Sequence, residues 1–123
     1  MRTLLILMGL YQSANGIVML AAPTLWYAMI PGVTETGPAN PHFIRDIGLA
    51  FIAAGAGLFI GAFKNDRRAI LLASIFLGGH ALLHLAELAH GATLTGALRD
   101  VVLIALPGLL PLAMLVAPER RTA

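Results

Sequence analysis

Residues 69–91 read AILLASIFLGGHALLHLAELAHG. This stretch is apolar over about 20 residues, the length that an α-helix needs to cross roughly 30 Å of hydrocarbon. Similar stretches occupy residues 4–22, 42–63 and 98–117. The chain is 59% hydrophobic and 11% charged, whereas soluble domains are about 25% charged. The sequence therefore predicts one domain over residues 1–123, an all-α antiparallel bundle of four transmembrane helices in a lipid bilayer.

Charge and cysteine content narrow the functional class. The formal net charge is +2 and the chain has no cysteine. Nucleic-acid binding requires a continuous basic patch, which the sequence lacks. Disulfides, thiolate metal sites and CxxC redox chemistry are excluded. The sequence contains no separate candidate nucleophile that would indicate an enzyme.

The basic residues near the helix ends predict the orientation. Six fall on one side of the four-span arrangement and two on the other, so the termini and the middle turn are expected in the cytoplasm of a multi-pass inner-membrane protein. Asn40-Pro41 predicts the start of the second helix, and Trp26 and Tyr27 suit the membrane interface. The basic residues on the cytoplasmic side are Arg2, Lys64, Arg67, Arg68, Arg120 and Arg121, and those on the outer side are Arg45 and Arg99.

The third segment carries a stripe of ionisable residues. Such groups are costly inside hydrocarbon, so each needs a partner or a purpose. At 100° per residue, His80, His84 and Glu87 lie within about 60° of one another, with His90 on the flank. Two imidazoles and a carboxylate at this spacing are able to bind Zn, Fe or Cu, or to relay protons. Neither HExxH nor the Glu-x-x-His order of di-iron bundles is present.

We predict a ligand site in the outward-facing half of the bundle. His84 and Glu87 are three residues apart on one helical face, so both side chains can meet one ligand. His42, at the outer end of the second helix, or His90 would complete a metal site. Imidazoles on the second and third helices would also be able to ligate a haem iron from opposite sides.

Structural explanations compete with this site. Arg45 and Glu87 have opposite charges at matched depth and are expected to form an ion pair between the second and third helices. Asp46 and Asp100 lie near helix N-termini, where a carboxylate is favourable. The segments 44–47 and 98–101 both read apolar-Arg-Asp-apolar, which suggests a weak internal repeat.

His80 has a separate structural explanation. It is expected about 16 Å from the inner end of its helix, at the depth of Gln12 and Asn15 on the first helix. Hydrogen bonds among these three side chains would satisfy them without a ligand.

Small residues line one face of the second helix. Asp46, Ala50, Ala54, Gly57 and Gly61 share this face, and Gly57-x-x-x-Gly61 is typical of close helix packing. The neighbour is either another helix of the chain or a second copy, so a homo-oligomer or a larger membrane complex is also predicted. In the fourth segment, Pro107 and Pro111 disrupt backbone hydrogen bonding.

Three functions fit these features. The first is a protein that binds a metal, haem or another polar ligand. The second is a proton-coupled transporter or small channel in which Glu87 and the histidines change protonation. The third is a structural or accessory subunit whose polar residues only pair helices.

Overall fold

Helices account for the regular structure of this protein in the computed structural model, which describes residues 1–91 and 93–116. Four helices or helical stretches are long and apolar enough to cross a membrane, over residues 2–21, 41–64, 67–88 and 94–116. The all-helical class and the four membrane-length helices are therefore confirmed. In chain order the elements are α1 (Arg2–Ala21), α2 (Pro23–Met29), a 3₁₀ turn (Val33–Glu35), α3 (Pro41–Lys64), α4 (Arg67–Leu88), α5 (Leu94–Asp100), a π-helical segment (Val101–Ala105) and α6 (Leu106–Val116).

Polar side chains fix where the helices begin. The Asn40 side chain accepts a hydrogen bond from the Phe43 amide at 3.1 Å, so α3 begins at the predicted Asn-Pro pair. Asp66 accepts from two amides of the first turn of α4. Thr93 accepts from the Gly96 amide at 3.2 Å, which starts the fourth span earlier than predicted. Its predicted end at residue 117 lies outside the described residues, as do Arg120 and Arg121.

Glycines allow α1 and α3 to touch backbone to backbone. A Cβ atom placed on Gly48 would lie 2.8 Å from the Gly16 carbonyl oxygen, and one on Gly55 would lie 2.9 Å from the Gly9 carbonyl oxygen. The two glycines of each helix are seven residues apart, which keeps them on one face. Small residues allow this approach, and van der Waals contact then drives helix association in lipid.

The small-residue face of α3 packs against α4 of the same chain. A Cβ atom placed on Gly57 would lie 3.1 Å from the Cβ of Ala73. The same hypothetical atom on Gly61 would meet the side chain of Ile70. Both glycines therefore pack against a helix of the same chain. A homo-oligomer through this face stays a prediction.

The fourth span changes its helical geometry before Pro107. The Leu106 amide donates to the Val101 carbonyl, a five-residue step typical of a π turn. Pro107 has no amide hydrogen to pair with the Leu103 carbonyl. That carbonyl instead accepts a hydrogen bond from the Tyr11 hydroxyl at 2.9 Å, which links α1 to the fourth span. The disruption that the proline predicts is therefore a π-helical segment.

The surface of the described helices is strongly apolar. Leu72, Ile75 and Leu83 on α4 are each about two-thirds exposed. Leu5, Leu58, Ile70 and Leu77 fill the interior and are almost fully buried. A surface of this kind suits lipid, which solvates apolar side chains as readily as the interior does.

Candidate functional site

A cavity of about 410 Å³ lies between the helices. We call it the central cavity. It lies toward the loop end of the helices, which we define as the end that carries residues 30–40 and the turn at Gly91. Helices α1 to α4, residues 30–36 and the fourth span all contribute to its wall. Its polar and aromatic lining residues include Tyr11, Gln12, Asn15, Trp26, Glu35, Phe51, His80, His84, Glu87, Arg99 and Asp100.

Asp100 connects three parts of the site. Its Oδ2 lies 3.2 Å from Nδ1 of His84, and its Oδ1 accepts a hydrogen bond from Nε of Arg99 at 2.6 Å. Arg99 Nη1 also donates to the Pro31 carbonyl at 2.9 Å. The loop, the fourth span and α4 are thus joined through one carboxylate that is only 6% exposed. We expected Asp100 to stabilise the N-terminus of its own helix, and this is wrong. Thr93 caps α5, and Asp100 is the last residue of that helix.

This pairing determines what His84 can do. A neutral imidazole that donates from Nδ1 to a carboxylate keeps Nε2 as a hydrogen-bond acceptor or a metal ligand. A carboxylate partner also fixes the ring orientation and raises the basicity of a ligating histidine. Oε2 of Glu87 lies 3.9 Å from the same Nδ1, and its side chain is 72% exposed. His84 and Glu87 therefore lie together, with Glu87 toward the surface.

Asn15 has a different partner from the one expected. Its Oδ1 accepts a hydrogen bond from Nε1 of Trp26 at 2.9 Å, and its Nδ2 faces the sulfur of Met19 at 3.6 Å. Helix α2 begins at Pro23 and carries Trp26 back toward α1. The expected hydrogen bonds between Asn15 and His80 are therefore not formed. Trp26 lines the central cavity, although the sequence indicated an interfacial residue.

Gln12 and His80 have no hydrogen-bonding partner among the described residues. Gln12 is only 4% exposed and lines the central cavity. His80 contacts rings: Phe51 edge-on at 5.4 Å, Phe76 stacked at 6.1 Å and His84 edge-on at 4.8 Å between ring centroids. No fully buried side-chain nitrogen or oxygen of the described residues lacks a partner, and both side chains line the central cavity. Their unpaired hydrogen-bonding atoms are therefore open to the cavity.

The remaining predicted site residues lie away from the cavity. His42 is 88% exposed, and its Nε2 lies 3.5 Å from Asp46 on the same helix. Arg45 donates from Nε to the Leu20 carbonyl at 3.2 Å. His90 is exposed in the turn after α4. None of these four residues lines the central cavity.

Two predicted arrangements need correction. Arg45 and Glu87 form no ion pair in the part of the chain that the structure describes, because Arg45 faces α1 while Glu87 approaches His84. His42 pairs with a residue of its own helix and lines no wall of the cavity that His84 lines. Within residues 1–91 and 93–116, no group of three histidine, cysteine, aspartate or glutamate side chains is placed to hold a metal ion.

A second, more polar cavity of about 470 Å³ adjoins the first at the loop end. Thr93, Thr95 and Gly96 line it. Arg99 and Asp100 line both cavities and therefore lie at the boundary between them. Pro31, Gly32 and Glu35 also line both cavities.

Comparison with protein-family models, curated proteins and solved structures finds no match.

Proposed function

We propose that this protein is an antiparallel four-helix bundle of the inner membrane that binds a small organic molecule in its central cavity. In this proposal both termini lie in the cytoplasm and the loop end faces outward. The excess of basic residues at the opposite end supports this orientation. A ligand would then enter from the outer side.

The unpartnered side chain of Gln12 carries the proposal. Gln12 is 4% exposed and lines the cavity. Among the described residues no fully buried side-chain nitrogen or oxygen lacks a partner, so the unpaired amide atoms of Gln12 are open to the cavity, where a polar group of a bound molecule would pair with them. His80, on α4, offers a second unpaired hydrogen-bonding group in the same cavity. A volume of about 410 Å³ falls within the range of about 300–1,000 Å³ that small-molecule sites occupy.

The other lining residues suggest how a ligand would be held. Trp26, Phe51 and Leu77 offer apolar surface for the body of the molecule. Gln12 would receive a polar group through its amide. The Nε2 atom of His84, fixed in role by Asp100, would accept a hydrogen bond from a second polar group.

Trp26 makes the proposal testable, because it is the single tryptophan of the chain. The indole N–H of ¹⁵N-labelled protein in lipid nanodiscs gives one resonance that needs no assignment. With 1-naphthol as the probe, we expect a saturable shift of this resonance. Gln12→Leu removes one hydrogen bond of about 1 kcal/mol, so affinity should fall roughly fivefold. His90→Gln, outside the cavity, is the matched control.

Thermal unfolding separates ligand binding from a structural role. Gln12 makes no hydrogen bond to another described residue, so an apolar side chain of similar size at this position breaks no bond between helices. Gln12→Leu without ligand should therefore unfold at the same or a higher temperature than the wild type. An accessory subunit that uses Gln12 to pair helices would lose stability instead. Non-saturable shifts, or unchanged affinity in Gln12→Leu, would contradict the proposal.

A metal ion is the second candidate. The observation in its favour is that Oδ2 of Asp100 lies 3.2 Å from Nδ1 of His84, because a carboxylate at one ring nitrogen orients a histidine that binds a metal through the other. Elemental analysis and visible absorption of protein purified without a chelator or a histidine tag test it. Stoichiometric Zn, Fe or Cu, or a haem spectrum, that is lost in His84→Ala would support this candidate. Substoichiometric metal without a chromophore would reject it.

A further inference from the structure

We infer that the ligand of the central cavity is an organic cation, a positively charged amine or quaternary ammonium group on an apolar or aromatic body. The inference rests on the proposed function and adds the charge class of the ligand. It follows from the charges in the cavity wall, from its aromatic faces and from the state of Arg99.

The cavity wall carries an excess of negative charge. Three carboxylates line it, from Glu35, Glu87 and Asp100, against one guanidinium from Arg99. Arg99 and Asp100 neutralise each other at 2.6 Å. Within the described ranges 1–91 and 93–116, no lysine or arginine lies at ion-pair distance from Glu35 or Glu87, although Arg99 also attracts Glu35 at longer range. Both carboxylates are exposed and thus lie at the rim, where they attract a cation and oppose an anion.

Three aromatic rings line the same cavity, and two of them have their polar atoms already engaged. The Trp26 N–H donates to Asn15, and the Tyr11 hydroxyl donates to the Leu103 carbonyl. Phe51 has no polar atom. These bonds occupy the polar atoms of the two rings, so a ligand would contact the rings mainly through their carbon atoms. Aromatic faces attract cations, most strongly where the cation is desolvated, and they are a known means of recognising quaternary ammonium groups.

Arg99 does not favour the opposite choice, an anionic ligand. Its Nε donates to Asp100 and its Nη1 donates to the Pro31 carbonyl. An anion at this position would have to compete with the Asp100 carboxylate and would face Glu35 and Glu87 as well. Inside the cavity, the unpartnered Gln12 amide provides an oxygen that can accept an N–H from an amine.

The test compares three probes of similar size and different charge. Phenyltrimethylammonium has an uncharged counterpart of the same shape, tert-butylbenzene, in which carbon replaces the nitrogen. Benzenesulfonate is the anionic probe. Each is titrated into the protein in nanodiscs at matched concentration in the lipid, and the indole resonance of Trp26 reports binding. We expect the cation to bind at least tenfold more tightly than the uncharged counterpart, and the anion to give no saturable shift.

Variants that remove a carboxylate charge test whether the preference for the cation arises from the cavity rim. Glu87→Gln should weaken binding of the cation about fivefold and leave tert-butylbenzene unchanged. Asp46→Asn removes an exposed carboxylate outside the cavity and should change neither. Equal affinity for the cation and its uncharged counterpart would overturn the inference, as would equal losses in the two variants. The 1-naphthol titration tests separately whether the cavity binds a small molecule. Saturable binding of 1-naphthol without a preference for the cation would overturn only the charge class, whereas no saturable binding of 1-naphthol would contradict the proposed function.

Discussion

Replacing Gly48 by alanine should push α1 and α3 apart. A Cβ atom at this position would lie 2.8 Å from the Gly16 carbonyl oxygen and 2.9 Å from the Met19 Cβ, whereas ordinary contacts begin near 3.4 Å. The helices must therefore separate by roughly 0.6 Å along this contact. The carbonyl oxygen belongs to the backbone and cannot rotate away. Overpacking of this kind costs about 1–3 kcal/mol, so we expect Gly48→Ala to lower the free energy of unfolding by about 2 kcal/mol.

Reversible unfolding in lipid bicelles measures this change. Gly79→Ala on α4 is the matched control, because a Cβ atom placed there meets nothing within 4 Å. The control should match the wild type or be up to about 1 kcal/mol more stable, because alanine favours a helix interior over glycine. Close packing of α1 on α3 at Gly48 would be contradicted if Gly48→Ala also stayed within that range, or if both variants lost the same stability.

Two further predictions concern topology and the buried ion pair. Because the chain has no cysteine, the single variants Glu35→Cys and Asn65→Cys report the orientation. A membrane-impermeant maleimide added to intact cells should label only Glu35→Cys. Labelling of both variants would refute the four-span topology. Asp100→Asn leaves the partly buried Arg99 without its counter-charge, which should lower the free energy of unfolding by about 2 kcal/mol. This is less than the roughly 3–5 kcal/mol lost when a fully buried pair is broken, because the Arg99 side chain is 31% exposed. The same unfolding assay should find Asp46→Asn nearly neutral, and equal losses in the two variants would contradict a special role for Asp100.

The four spans were predictable because each is a local property of the sequence. An apolar run of about 20 residues between polar turns indicates a membrane-length helix whatever its neighbours are. The Asn40-Pro41 start is equally local, since a cap involves only the first turn. The glycine contacts between α1 and α3 depend on two distant segments that meet at the same depth, and no pattern within one helix specifies the partner.

The set of residues that form the site also could not be predicted in full from local sequence patterns. Arg45-Asp46 and Arg99-Asp100 have the same sequence and equivalent places at the start of a span, yet only the second pair lines the cavity. Which way such a pair faces depends on the rotation of the whole helix, and distant contacts set that rotation. His84 and Glu87 were predictable as neighbours because they belong to one helix. The contribution of Asp100 to their site was not.

The π-helical segment over residues 101–105 makes the length of the fourth span as important as its composition. In an uninterrupted α-helix, Asp100 and Gly108 are eight residues apart and would point about 80° away from each other. One extra residue taken up in a π turn reduces this angle to about 20°, so both can face α4, where His84 meets Asp100 and the Leu77 carbonyl meets Gly108. The segment thus tolerates exchange of one apolar residue for another better than the loss of one. A single deletion there would rotate Arg99 and Asp100 away from the cavity while every remaining residue kept its identity.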